Sequence, residues 1–188
     1  MTGSGISNSV VDLVGDGDPL GHRRNAKGLG DIILTQTYQY VPEILNTSVV
    51  NFSVKIKFPT ANHNKGLGTG KYDFSLESRL IKQIGRYTPF VTVGYTFVGE
   101  PENIQLNNRI YTTIGGSYRF HHQFQAGLMY EYKQASSKTR TSDQKVVGFF
   151  SWKPAIDNRW LINGYSLVGL TKSSPDYGGG LSLSYTFK

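Results

Sequence analysis

From about residue 31 to the C-terminus, polar and apolar residues alternate with a period of two in one segment after another. Successive side chains of a strand point to opposite faces, so this pattern specifies strands with one apolar and one polar face. In one segment Tyr72, Phe74 and Leu76 oppose Asp73, Ser75, Glu77 and Arg79. Another sets Phe124, Ala126, Leu128, Tyr130 and Tyr132 against Gln125, Gly127, Met129, Glu131 and Lys133. The same rule predicts strands over 31–40, 48–59, 72–84, 88–98, 108–120, 123–134, 145–153, 159–170 and 180–188. Residues 7–14 are a candidate for a tenth.

The connections alternate too. Short turns, such as Gly85–Arg86 and His121–His122, take turns with long polar loops. Strands of about 10–13 residues exceed the usual 5–6 of globular proteins, whereas a transmembrane strand needs about 9–11. Outer-membrane barrels also combine short periplasmic turns with longer outer loops. The expected fold is therefore all-β, an antiparallel up-and-down transmembrane β-barrel with about nine or ten strands in this chain. One domain covers residues 1–188: a segment and long outer loop over 1–30, then the strand-rich barrel over 31–188. Lipid leaves unpaired backbone groups unsatisfied, so such a sheet has to close. Bacterial barrels close with an even strand number. Parity is restored either by residues 7–14 or by three further strands before this sequence, giving 12.

Composition is compatible. No run of 18 apolar residues exists, which excludes a spanning helix but not spanning strands. Mean hydropathy of −0.33 suits a barrel, in which only alternate residues face lipid. The 12 Tyr and 10 Phe favour strands, and the absence of Cys removes disulfides and thiolate metal sites. The +7 net charge is scattered through many segments, so a nucleic-acid surface is not expected. Residues 1–5 lack the basic and apolar regions of a signal peptide; an outer-membrane destination implies an export signal outside this sequence.

Several short motifs, taken in order, resemble an outer-membrane family labelled transporter or MetA-pathway of phenol degradation. They are Lys55-Ile56-Lys57-Phe58-Pro59-Thr60, then Lys65-Gly66-Leu67-Gly68-Thr69-Gly70. Gly28-Leu29-Gly30-Asp31, Thr88-Pro89-Phe90 with Gly94-Tyr95, and Ser174-Pro175-Asp176-Tyr177-Gly178 support them. The resemblance covers about residues 28–188. It implies a membrane barrel associated with moving small, often aromatic or hydrophobic, compounds inward. It also implies strands before the Gly28 motif, and a terminal aromatic. Here Phe187 precedes a final Lys188, and Phe187 is expected to present that aromatic to the barrel-assembly machinery.

Catalytic and cofactor readings are weak. Gly66–Lys71 lacks the Gly and the Ser/Thr of a phosphate loop and leads into a strand. His121 and His122 share a turn, whereas His22 and His63 fall on loops at the other end, so no metal set forms. No strand-borne His stands near a Ser on its own face, so no enzyme is expected, and no cofactor. The functional candidates are the polar groups within strands: Lys55, Lys57, Glu77, Arg79, Arg119, Gln125, Glu131 and Lys133. Arg or Lys facing lipid at midplane costs about 2–4 kcal/mol, so these should face a lumen. They either line a wet path or pair across strands and plug a narrow barrel; 9–10 strands leave little interior. Tyr95, Tyr118, Tyr130, Trp152, Trp160 and Tyr185 lie toward strand ends and fit interfacial girdles. Arg23, Arg24, Lys27, Lys65, Lys138 and Arg140 lie in long loops, where lipopolysaccharide phosphates or plain solvent would meet them. Three functions compete: a passive outer-membrane channel or transporter-like barrel for small molecules, a plugged interaction barrel, and a soluble lipocalin-like barrel. The solute is not specified.

Overall fold

The computed structural model describes the backbone of residues 5–14 and the complete residues 30–42, 47–62, 69–100, 106–137, 141–154 and 159–186. Ten strands follow one another: β1 (Gly5–Val14), β2 (Asp31–Tyr40), β3 (Ser48–Phe58), β4 (Asp73–Lys82), β5 (Tyr87–Phe97), β6 (Arg109–His121), β7 (Phe124–Lys133), β8 (Asp143–Trp152), β9 (Trp160–Gly169) and β10 (Tyr177–Tyr185). Each pairs antiparallel with the next, so the sheet is a single ten-stranded meander in chain order. This is the expected all-β up-and-down architecture, and β1 falls where the tenth strand was expected. Its ladder with β2 shifts register between Ile6 and Ser9. The ladder ends at β1 on one side and β10 on the other. No β1–β10 pairing occurs among the described residues, and the meander is consistent with a barrel.

Boundaries differ by one to three residues at most strands. The eighth strand begins at Asp143 and the last at Tyr177, earlier than expected. In both cases loop hydrogen bonds extend the ladder: Leu170 N donates to Gln144 O (2.8 Å) and Gly169 N to Asp176 O (3.2 Å). The Gly85 turn matches expectation, with a left-handed φ of 59° that a glycine adopts freely.

Polarity is inverted relative to a water-soluble sheet protein. Among the described residues, the buried side chains are chiefly Asp31, Ser48, Ser53, Lys57, Asp73, Thr92, Thr96 and Ser117; the apolar ones are Ala61 and Val147. The exposed set is apolar and aromatic, including Leu128 (66 %), Leu181 (79 %) and Leu183 (63 %). Register explains the split. Ser53 and Glu77, then Glu77 and Gly94, are cross-strand partners, so odd-numbered residues of β3 and β4 continue into even-numbered residues of β5 on one polar face. That face curls: one hollow is lined from Ile33 on β2 round to Lys145 on β8. We call it the inner face and the apolar one the outer face.

Candidate functional site

The inner face is built from cross-strand polar pairs. Thr37 and Ser53 hydroxyls meet at 2.9 Å, as do those of Ser75 and Thr96, and Ser151 donates to Asn163 Oδ1 at 2.6 Å. The charged groups concentrate toward the long-loop end. There Lys57, almost fully buried, contacts Asp73 Oδ2 at 2.7 Å and Asp31 Oδ2 at 3.5 Å. Lys57 and Asp73 are direct cross-strand partners, and Asp31 is diagonal to Lys57 because Ile33 occupies the paired position. The two carboxylates also receive loop backbone amides, Ala61 N on Asp31 (2.9 Å) and Gly99 N on Asp73 (2.9 Å). Thr60 Oγ1 accepts from Ile32 N and donates to Gly30 O. The buried charges are thus hydrogen-bonded as well as paired, which a low-dielectric site requires.

One layer deeper, Lys55 Nζ meets Glu77 Oε2 at 2.6 Å, and Tyr111 donates its hydroxyl to the same oxygen at 2.8 Å. Arg79 Nε donates to Thr92 Oγ1 at 2.8 Å and its guanidinium lies 5.4 Å from the Phe90 ring centre. Across the hollow, Lys145 and Glu131 pair at 2.9 Å. Together these walls enclose a vestibule of about 270 Å³ at the long-loop end. Below it the inner face turns apolar. Phe90 on β5 and Phe149 on β8 approach to 6.2 Å between ring centres, with two strands between them. They reach each other because glycine lies beneath: a Cβ on Gly115 would stand 2.8 Å from Phe90 Cζ, and Gly127 likewise lies under Phe149. A second hollow of about 380 Å³, with Arg119, Gln125 and Ser151, opens at the short-turn end.

All eight polar candidates lie on the inner face: Lys55, Lys57, Glu77, Glu131 and Lys133 on the vestibule side, Arg79 at the waist, Arg119 and Gln125 at the short-turn end. Arg119 and Gln125 are direct partners in the ladder. Sequence reasoning did not single out Asp31, Asp73, Arg109, Tyr111, Asp143 or Lys145 as site residues. Alternation gives each strand's faces, but only the register between strands brings these groups together. His121 and His122 stack edge to face (5.6 Å) at the short-turn end. Among the described residues no group of three or more His, Cys, Asp or Glu could hold a metal. Phe187, His22, His63, Arg23, Arg24, Lys27, Lys65, Lys138 and Arg140 lie outside the described residues.

The outer face carries the aromatic candidates. Tyr118, Trp152, Trp160 and Tyr185 lie at its short-turn edge; Tyr95 and Tyr130 lie near the long-loop edge. Each edge is a chain of ring contacts. At the short-turn edge Tyr118–Phe120, Phe120–Phe124 and Trp160–Tyr185 stand 5.0, 5.9 and 4.7 Å apart. At the other, Phe58–Tyr72 and Tyr95–Phe97 stand 5.8 and 4.9 Å apart. Aliphatic residues such as Leu76, Val93, Ile114, Leu128 and Leu181 fill the band between.

An antiparallel meander with a polar, hollowed inner face and an apolar outer face between aromatic edges defines the chain as a protein of the β-barrel class. Its sequence matches, over residues 3–187, the family model described as "Putative MetA-pathway of phenol degradation", and the chain belongs to that family. No curated protein matches the sequence significantly. The motifs that carried the resemblance now have a structural content. Lys57 and Asp31 form the buried ion cluster. Ser174 of Ser174-Pro175-Asp176-Tyr177-Gly178 donates to Asp143 Oδ1 at 2.6 Å, tying the last long loop to β8. Pro175's carbonyl packs where a Cβ on Gly169 would be.

Proposed function

We propose that this chain is a passive, non-catalytic channel or transporter-like barrel of the bacterial outer membrane that conducts small molecules. The observation that carries the reading is the inverted polarity. A continuous apolar face of this extent is costly in water but suits hydrocarbon, and the polar inner face suits a lumen. Strands of 9–13 residues match the span, and the two aromatic edges match headgroup girdles. In lipid the free edges of β1 and β10 would pair, since an open edge there leaves backbone groups unsatisfied. Lipid and lipopolysaccharide outside, and the assembly machinery during insertion, are the partners this reading requires. A plugged barrel is the second reading, favoured by the Phe90–Phe149 contact across the inner face.

Two measurements test this. The detergent-folded protein should migrate faster on a gel unheated than boiled, and a protein that stays soluble without detergent would overturn the membrane assignment in favour of a soluble binding barrel. Reconstituted in planar bilayers, it should give discrete conductance steps. Their absence would leave the plugged barrel.

A further inference from the structure

The long-loop vestibule contains a cation with no carboxylate partner among the described residues. Lys55, Lys57 and Lys145 each face a carboxylate of the same wall. Arg109 does not: among the described residues it makes no ion pair, and its guanidinium is held only by Nη1 donating to Ser136 Oγ at 3.4 Å. Its Nε is buried without a partner. A guanidinium grips a carboxylate with two parallel hydrogen bonds, and no carboxylate of the described residues takes that place on Arg109.

The nearby acids do not supply the missing partner. Asp73 is engaged by Lys57 and Gly99 N, and Glu131 by Lys145. Asp143 faces Lys133 in the ladder and accepts Ser174's hydroxyl. Arg109 begins β6 opposite Thr96, at the wall of a cavity of about 270 Å³. That is just under the about 300–1,000 Å³ of drug-sized sites, so the occupant is small. The Tyr111 ring, two residues on, lines the same cavity.

We infer that the vestibule is a binding site for small organic carboxylates, with Arg109 as the group that recognises the carboxylate. The inference deepens the channel reading, since it names the solute class at the mouth of the proposed lumen. A carboxylate entering the vestibule would pair with the Arg109 guanidinium, which has no carboxylate partner among the described residues. A neutral molecule of the same shape would not.

The test is calorimetric titration of the detergent-folded full chain with benzoate and with benzamide, its neutral isostere. Benzoate should bind at least tenfold more tightly. In Arg109→Gln that preference should vanish, and in Arg109→Lys, which keeps the charge but loses the fork, it should fall several-fold. Lys82→Gln, at the end of β4 away from the vestibule, should leave it intact. Equal binding of the two probes by the wild type, or a preference that survives Arg109→Gln, would overturn the inference. If the glutamine variant does not fold, the lysine variant decides: an undiminished preference overturns the role of the fork. Bilayer recordings keep the two readings apart. Benzoate discrimination without conductance sinks the channel and leaves this site standing; conductance without discrimination does the reverse.

Discussion

Tyr111 on β6 reaches across an entire strand to donate its hydroxyl to Glu77 on β4, at 2.8 Å. Glu77, Gly94 and Tyr111 stand side by side in the ladder, so the phenol ring crosses directly over Gly94. Any Cβ at residue 94 would collide with the ring's Cζ, Cε1 and hydroxyl oxygen. Glycine is needed here for space, not for φ.

The first prediction follows from that crossing. Gly94→Ala should destabilise the barrel by about 1–3 kcal/mol, the usual cost of overpacking. Tyr111→Phe should cost about 1.5–3 kcal/mol, as for a hydrogen bond to a charged acceptor. Combining Gly94→Ala with Tyr111→Ala should cost less than the sum of the single changes, with a coupling of about 0.5–3 kcal/mol. Urea unfolding of the protein in lipid vesicles measures all of these, and strict additivity would rule out the contact.

A second prediction concerns Lys57, which contacts Asp73 and Asp31 while nearly buried itself. Lys57→Met removes the cation and leaves two carboxylates facing each other. Breaking such a cluster costs about 3–5 kcal/mol. Because Asp31 and Asp73 also hold Ala61 N and Gly99 N, the loops after β3 and β5 should loosen together. Faster protease cleavage in both loops, with the short turns unchanged, is the expected signature. Cleavage confined to one loop would contradict it.

How far the sequence revealed this site depends on distance along and between strands. The faces of β4 and β7 were legible because alternation is a property of one strand: Phe74 and Leu76 outward, Glu77 and Arg79 inward. The tight turn at Gly85 was legible from local chemistry. The Asp31–Lys57–Asp73 cluster was not, since it joins residues from three strands and depends on Lys57 pairing with Asp73 rather than with Ser75. Pattern alone does not fix that register; the loop amides bonded to Asp31 and Asp73 help to hold it. The apolar waist was missed for a different reason. Phe90 and Phe149 look like ordinary outward aromatics, and only the glycines at 115 and 127 beneath them make inward packing possible.

Neighbouring residues on β10 give the third prediction. Leu181 and Ser182 are both exposed, yet they point to opposite faces. In a water-soluble protein Leu181→Arg at an exposed site would be nearly neutral. With the outer face in lipid, Leu181→Arg near the strand's midpoint should cost about 2–4 kcal/mol, and Ser182→Arg on the inner face should cost far less. Folding yield into vesicles against urea separates them. Equal tolerance of the two arginines would contradict the assignment of faces.

The protein's only two tryptophans, Trp152 and Trp160, flank one short turn on the outer face. Trp160 packs on Tyr185 at 4.7 Å. A strand rises about 3.3 Å per residue and tilts by about 40°, so a ten-residue span is about 25 Å deep. Residues at a strand's end then lie about 10 Å or more from the bilayer centre, at headgroup depth. Tryptophan emission should therefore be quenched strongly by lipids brominated near the headgroup, and weakly by lipids brominated near the acyl-chain ends. The reverse order would place the turn inside the hydrocarbon and overturn the girdle. No quenching by either lipid would place the outer face in water, and with it would fall the membrane reading.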